Sequence, residues 1–435
     1  MKKQFLEYAI PSALAMCVAS LNTVLDGVFL GRGVGDLALA AVNIVIPLTI
    51  MFFGLATMVA VGGGAIVSKN FGANNDEKAV SVFRQVMKSL LVVTLILSMT
   101  CVLFAENIVK YMGATPRLLD MSAEYLRFYA MFCIPNLVGI ALSSFVRNDS
   151  RPKLAMVATM MGTLVNITLN YIFIFKLSLG IKSAAIATGI GQTVTVLITL
   201  SHFIGKKGKL TFGRSKLEKD ILKEIFSIGF PSFIAESAFS VIILIYNIVL
   251  TKIVGEVGIS AYSIVNYITT NIYMIVLGVT FGAQPLISYN FGAGKSKNMI
   301  DVYNISIKFT LLISFVFCLI CLIFGKYIIQ IFTLDKQIIE IAYIALNLHN
   351  LAYFMIGINL TRTVYYQAIE IPKYSNLIGA LRCIIVLPLA ITILSKLFGL
   401  NGVWISMAVS ELITIIVLNS LVDLKKCTKK VMAQC

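Results

Sequence analysis

Long apolar runs separated by short polar segments make up most of this chain. A helix needs about 20 mostly apolar residues to cross the hydrocarbon core of a membrane. Twelve stretches have about that length: 8–30, 40–67, 87–105, 123–146, 154–175, 183–204, 226–250, 260–286, 304–324, 340–361, 375–396 and 401–422. Because a helix satisfies its own backbone polar groups in lipid, the pattern predicts an all-α integral membrane protein with twelve transmembrane helices.

The twelve runs form two sets of six that repeat each other in sequence. Residues 68–73 read SKNFGA, and residues 288–293, which lie 220 positions later, read SYNFGA. The same offset relates Pro11 to Pro231 and Pro152 to Pro372. The sequence therefore predicts two homologous six-helix bundles.

We place the first bundle at 1–210, a linker at 211–224 and the second bundle at 225–435. Because six is an even number, both bundles begin on the same side of the membrane. Their pseudo-two-fold axis is therefore expected along the membrane normal. A duplication of this kind is typical of transporters that bind substrate between the two repeats.

The basic residues predict an orientation in the membrane. If both termini are cytoplasmic, 24 Lys and Arg residues lie inside, nine lie outside and three lie within spans. Cytoplasmic loops are enriched in Lys and Arg, so we expect a multi-pass plasma-membrane protein with both termini cytoplasmic. The net charge of +16 then reflects topology and contact with anionic lipid headgroups, and we expect no nucleic-acid partner.

Charged residues make up only 13% of the chain, about half the share in an average soluble domain. The eight cysteines lie mostly in apolar runs, and neither a metal motif, a nucleophilic triad nor a phosphate loop occurs in the sequence. An integral-membrane enzyme would need such a cluster, so we predict that the protein is not an enzyme. We expect no cofactor, an ion gradient as the energy source, and a monomer.

Several motifs occur in a specific order in the first half. Residues 24–31 read VLDGVFLG, residues 35–41 read GDLALAA, and GGG at 62–64 is followed by NFGA at 70–73. In this order and in a twelve-span frame, they resemble the MATE (multidrug and toxic compound extrusion) family, and its MepA-like bacterial branch in particular. The resemblance implies a V-shaped pair of bundles and cation-coupled efflux of organic, mainly cationic, compounds and drugs. A lipid-linked saccharide flippase of the same superfamily is the alternative within transport, and a receptor is a more distant one.

Polar residues in the first half suggest a coupling site. Asp26 lies in span one, and an ionisable residue at membrane depth is a functional candidate by default. Span five carries a stripe of polar side chains at helical spacing: Thr159, Thr163, Asn166 and Asn170. The stripe faces protein or water, and the alternative interpretation is a hydrogen-bonded seam between packed helices.

The resemblance gives these residues roles. It implies a site for H⁺ or Na⁺ built from an Asp on span one, an Asn and an acid four residues apart on span five, and a Thr on span six. The matching positions are Asp26, Asn166, Asn170 and Thr188. Asn170 departs from the acid of that pattern, which favours H⁺ and leaves Na⁺ at Asp26 as the alternative. We expect no other metal.

Charged residues in the second half suggest a substrate site. Glu236, Arg382 and Glu411 each lie near the middle of a predicted span. If the two acids share one Arg, one negative charge remains to hold a cationic compound. The predicted substrate-binding residues are Glu236, Asn266, Asn350 and Glu411. Arg382 is assigned to a structural ion pair, and such a pair is also the alternative interpretation for its acidic partners.

Pro11 lies inside span one, 15 residues before Asp26. Proline removes a backbone hydrogen bond and can bend a helix. We therefore predict a helix bend at Pro11.

Overall fold

The protein consists of helices and connecting loops throughout the residues that the computed structural model describes, which are 1–422, 424 and 428. Fourteen α-helices occur in this part of the chain. They are α1 (Lys2–Gly33), α2 (Asp36–Gly72), α3 (Asp76–Leu103), α4 (Ala105–Tyr111), α5 (Pro116–Met131), α6 (Cys133–Asn148), α7 (Pro152–Tyr171), α8 (Lys182–Ile204), α9 (Lys219–Ile253), α10 (Glu256–Gly292), α11 (Ser296–Phe332), α12 (Lys336–Ala368), α13 (Pro372–Gly379) and α14 (Val386–Leu421). Short π-helical segments follow α7 at Ile172–Lys176 and α13 at Ala380–Ile385. The predicted all-α fold is confirmed.

The helices have the length and composition of membrane spans. In the described part of the chain, ten helical segments are long and apolar enough to cross a membrane, and the bent pair α5 and α6 makes an eleventh. The last segment, Pro372–Leu421, has 50 residues, more than twice the length that one crossing needs. It is interrupted by a non-helical backbone at Gly399. With each side of Gly399 taken as one crossing, the total is the predicted twelve.

The sequence repeat is also visible in the turns. Gly35 and Gly255 both have positive φ immediately before a long helix. Gly180 and Gly399 both have positive φ immediately before the last helix of a half. Positive φ is strained for residues with a Cβ atom, so these four glycines are required by the backbone and mark corresponding turns of the two halves.

The chain forms two compact units. One comprises Leu14–Phe233, and the other comprises Met1–Ala13 with Ile234–Cys435. The core of the first contains Phe83, Phe145 and Phe203. The core of the second contains Phe5 and Ala9 of α1 together with residues of α10, α11 and α12. Helix α1 therefore begins in the second unit and ends in the first. Helix α9 begins in the first unit and ends in the second.

Glycines allow the first turns of α1 and α9 to pack closely. A Cβ atom at Gly282 of α10 would lie 2.6 Å from the carbonyl oxygen of Tyr8 in α1. A Cβ atom at Gly62 of α2 would collide with the carbonyl oxygen of Ile225 in α9. Gly62 and Gly282 are 220 residues apart, so the same helix crossing occurs once in each unit.

The segment between α8 and α9 is held against the first unit. Asp149 accepts hydrogen bonds from the backbone N–H groups of Lys209 (2.9 Å) and Leu210 (3.2 Å), and it lies 2.8 Å from Nε2 of His202. Arg84 of α3 donates to the carbonyl oxygen of Thr211 at 2.9 Å. The basic linker predicted at 211–224 is thus anchored at its start, and it includes the first turns of α9.

Candidate coupling and substrate sites

Asp26 is held between two amide side chains. Asn22 lies one helical turn before it on α1 and donates to Oδ2 at 3.1 Å. Asn170, at the end of α7, donates to Oδ1 at 2.7 Å. A carboxylate with a hydrogen bond to each oxygen is compensated in an apolar environment, so Asp26 has a defined orientation on the inner side of α1.

The network continues from α7 to α8. Asn170 Nδ2 also donates to Asn166 Oδ1 at 3.2 Å, and Asn166 Nδ2 donates to Thr188 Oγ1 at 3.0 Å. Asn166 and Asn170 are both buried and lie four residues apart on one helix face. The structure thus joins Asp26, Asn166, Asn170 and Thr188 in one chain of hydrogen bonds, with Asn22 as a further member.

The remainder of the predicted polar stripe lies outside this network. Thr159 donates to the carbonyl oxygen of Ala155 on its own helix at 3.1 Å, and Thr163 is only partly buried.

Helices α7 and α8 approach each other closely, and this approach places Asn166 beside Thr188. A Cβ atom at Gly162 would lie 2.5 Å from the carbonyl oxygen of Gly191, so larger residues would separate the two helices.

Two oxygen atoms of the network remain available. Asn22 Oδ1 and Asn170 Oδ1 are buried and have no hydrogen-bond partner among the described residues. A protonated Asp26 would gain a hydroxyl donor, for which these oxygens are nearby acceptors. Carboxylate and amide oxygens are also the ligands that hard cations prefer. In the described part of the chain, no group of three or more His, Cys, Asp or Glu side chains could hold a metal ion. The chemistry therefore fits H⁺ or a single Na⁺.

In the second half, Arg382 pairs directly with Glu411. Arg382 Nη2 lies 2.6 Å from Glu411 Oε1, and Arg382 Nε donates to the same oxygen at 2.9 Å. Asn359 of α12 donates to Glu411 Oε2 at 2.6 Å. Glu411 is 1% exposed, and both of its oxygens are engaged. This geometry fits the structural ion pair that was the alternative interpretation for Glu411, and its role as a substrate contact stays a prediction. Asn359 is a partner that the sequence analysis missed.

The other predicted substrate residues are placed separately. Glu236 of α9 is half-buried, and no ion pair between Glu236 and Arg382 occurs among the described residues. Among the described residues, Arg382 is thus in direct contact with Glu411 and not with Glu236, and the sharing of its charge by both acids stays a prediction. Asn266 of α10 is also half-buried. Asn350 of α12 is buried, and neither Oδ1 nor Nδ2 has a partner in the described part of the chain.

Aromatic rings surround the position next to Asn350. Tyr246 stacks on Tyr262 with 4.6 Å between ring centroids, and Tyr262 stacks on Trp404 at 6.4 Å. His349 lies 6.1 Å from Tyr246. All four side chains, Tyr246, Tyr262, His349 and Trp404, are buried, so this aromatic cluster is part of the packed core of the second unit and presents no open ring face to a substrate. The sequence analysis missed it, although Trp404 is the single Trp of the chain.

Helix α1 runs from Lys2 to Gly33 with Pro11 inside it, and Pro11 is buried. The helix continues through the proline in this conformation. The predicted bend at Pro11 stays a prediction.

Comparison with known proteins gives a consistent picture. The family model MatE matches residues 11–172 and, a second time, residues 231–392. The multidrug export protein MepA of Staphylococcus saprophyticus is 26% identical over 416 residues, which span 94% of this chain and 91% of that protein. MepA of Staphylococcus haemolyticus is 26% identical over 414 residues, with 94% and 90% of the two chains covered. An outward-facing structure of a multidrug resistance MATE family transporter of the MOP superfamily superposes with a TM-score of 0.91 at 22% identity, over 96% of this chain and 94% of that one.

Proposed function

This chain belongs to the MatE family of membrane transporters, and we propose that it exchanges H⁺ or Na⁺ for organic, mainly cationic, compounds. The multidrug export proteins to which it is similar support export as the direction. The observation that carries the proposal is the hydrogen-bonded chain from Asp26 through Asn170 and Asn166 to Thr188. It places a single carboxylate among neutral amide and hydroxyl groups at membrane depth.

Asp26 is the coupling carboxylate in this proposal. The donors to Asp26 among the described residues are neutral amides, so binding of one cation changes the local charge from negative to neutral. An ion can drive a conformational change only if its affinity differs between the two states. The hydrogen bond from Asn170 of α7 to Asp26 of α1 supplies such a difference. An ionised Asp26 only accepts hydrogen bonds, whereas a protonated Asp26 also donates one.

Substrate recognition is assigned to the second half. Glu236 is half-buried and has no direct ion pair among the described residues, whereas Glu411 is fully paired. A partly desolvated carboxylate attracts a cation more strongly than one in bulk water. Glu236 is therefore the proposed cation contact, with Asn266 and Asn350 as further contacts.

Ethidium transport in everted membrane vesicles tests the function and the coupling ion together. Imposed gradients of pH or of Na⁺ should drive transport by the wild-type chain, and the effective gradient identifies the ion. Asp26→Asn should abolish gradient-driven transport, because the amide keeps the size of the side chain but cannot take up a proton. The exposed Asp120 of α5 provides a matched control, and Asp120→Asn should transport like the wild type. Normal transport by Asp26→Asn at normal expression contradicts the assignment.

A plasma-membrane location with both termini cytoplasmic completes the proposal. Single cysteines at Ser215, before α9, and at Thr333, after α11, should be labelled from opposite sides by a membrane-impermeant thiol reagent in a background without native cysteines. Labelling of both positions from the same side contradicts the orientation.

A further inference from the structure

A polar cavity lies in the second unit, away from the ion pair of Arg382 and Glu411. Its volume is about 260 Å³, and it lies among α11, α12, α14 and the residues that follow α14. Its polar walls are Tyr303, Asn304, Arg362, Tyr366 and Asn419. Pockets for drug-sized ligands typically have about 300–1,000 Å³, so this cavity fits a smaller group than a transported drug.

Arg362 is the charged side chain in the described lining of the cavity, and it has no anionic partner among the described residues. Its Nη2 donates to Asn419 Oδ1 at 2.8 Å, and its Nε donates to Tyr303 Oη at 3.4 Å. Both acceptors are neutral. Its Nη1 is buried and has no hydrogen-bond partner among the described residues. A buried donor of a charged group without a partner is costly, so an acceptor that carries negative charge would stabilise this site.

The other groups of the cavity suit the same kind of acceptor. Tyr303 accepts from Arg362, which leaves its hydroxyl hydrogen available to a ligand. The amides of Asn304 and Asn419 can donate as well, and the cavity lining contains no acidic side chain among the described residues. Guanidinium, hydroxyl and amide donors together recognise phosphate, to which Arg can donate two parallel hydrogen bonds.

The first half shows that the fold does not require three of these polar residues. At the repeat offset of 220, Tyr303 corresponds to Phe83, Arg362 to Leu142 and Tyr366 to Val146. All three counterparts are buried and apolar. Phe83 packs against Phe212 of the anchored linker, with 5.2 Å between ring centroids. The corresponding space is thus filled in the first unit and open in the second.

The surrounding sequence is basic. The chain continues past α14 with Lys425, Lys426, Lys429 and Lys430. Clusters of basic residues next to a span are attracted to anionic lipid headgroups. Although Asp423 precedes them, these lysines give the segment after Leu421 a net positive charge, which favours contact with an anionic headgroup.

We propose that this cavity binds a phosphate group, supplied by the headgroup of an anionic phospholipid, with Arg362 as its main contact. The phosphate accepts from Arg362 Nη1 and from the hydroxyl of Tyr303. The glycerol part of the headgroup occupies the remaining volume. This site is separate from the proposed coupling and substrate sites, and its test does not depend on transport.

Binding is measured on the delipidated full chain in detergent by native mass spectrometry and thermal melting. The three probes are dioctanoyl phosphatidylglycerol, dioctanoylglycerol without a phosphate, and inorganic phosphate. We expect phosphatidylglycerol to form a 1:1 adduct and to raise the melting temperature, and dioctanoylglycerol to do neither. Arg362→Gln should weaken phosphatidylglycerol binding at least tenfold. Arg362→Lys, which keeps the charge but not the planar guanidinium, should give an intermediate affinity.

The exposed Lys297 of α11 provides the matched control, and Lys297→Gln should bind phosphatidylglycerol like the wild type. Equal binding by wild type and Arg362→Gln overturns the site, as does equal binding of dioctanoylglycerol. If inorganic phosphate alone gives the full stabilisation and phosphatidylglycerol gives none, the lipid source is wrong and the ligand is free phosphate. Should Arg362→Gln fail to fold, Arg362→Lys with wild-type affinity would overturn the proposed role of the guanidinium.

Discussion

Asn170 of α7 donates a hydrogen bond of 2.7 Å to Asp26 of α1, although the two residues are 144 positions apart in sequence. Asn170 is also the position where this chain departs from the acid implied by its resemblance to the MATE family. The departure therefore lies in direct contact with the proposed coupling carboxylate. Replacing one amide by a carboxylate would change the charge of the whole network.

The first prediction concerns Asn170→Asp. Two carboxylates at hydrogen-bond distance cannot both be ionised without a cation between them. We expect this variant to show a stronger dependence of ethidium transport on Na⁺ than the wild type. The double variant Asp26→Asn with Asn170→Asp serves as the control, because it has one acidic side chain in the network, as the wild type has. Unchanged Na⁺ dependence in Asn170→Asp would show that α7 does not contact the ion.

The second prediction concerns Glu236→Gln. Loss of the charge should weaken binding and transport of cationic compounds several-fold and change neutral substrates less. Aromatic rings contribute about 0.5–2 kcal/mol of cation–π attraction, so residual binding is expected. Ethidium binding and transport are compared with those of a neutral substrate. The exposed Glu340 of α12 is the matched control, and an equal loss for both substrate classes would exclude a charge-specific role.

The third prediction concerns the pair of Arg382 and Glu411. Arg382→Gln leaves Glu411 buried with Asn359 as its remaining partner, and Glu411→Gln leaves Arg382 without its anion. Breaking a buried pair on one side costs about 3–5 kcal/mol, so each single variant should melt at a clearly lower temperature in detergent. The double variant should recover part of the loss. Full stability of either single variant would mean that the pair contributes little to the fold.

The fourth prediction concerns the helix crossings at Gly62 and Gly282. An added methyl group would meet backbone carbonyl oxygens at both positions, which cannot rotate away. Overpacking of this kind costs about 1–3 kcal/mol, and Gly62→Ala and Gly282→Ala should both lower the melting temperature. A Cβ atom at Gly27 of α1 meets nothing within 4 Å, so Gly27→Ala is the control and should melt like the wild type.

The sequence was informative where helical spacing and duplication determine the structure. Asn166 and Asn170 share a face because they lie four residues apart, and the resemblance supplied Asp26 and Thr188 as their partners. The four residues were therefore found together. Gly180 and Gly399 mark paired turns as well, although they lie 219 residues apart, one fewer than the offset of the repeat elsewhere.

The spacing of polar residues within one helix does not predict which residues of a distant helix they contact. Asn359 lies on α12, from which the sequence analysis named only Asn350, and nothing in the sequence of α12 indicates that Asn359 meets Glu411. The first turns of α1 and of α9 each pack in the unit that does not contain the rest of their helix. This packing depends on the close approach of their backbones to Gly282 and Gly62. A glycine in an apolar run does not identify the helix that packs on it.

This packing of the first turns has a consequence for experiments with fragments. A polypeptide cut in the linker and ending at residue 210 would lack residues 219–233, which belong to the compact unit Leu14–Phe233. It would also carry residues 1–13 without the helix on which they pack. The complementary fragment would lack Phe5 and Ala9 from its core. The smallest stable product of a split gene is therefore the reassociated pair of fragments, and neither fragment is suited to structural work in isolation.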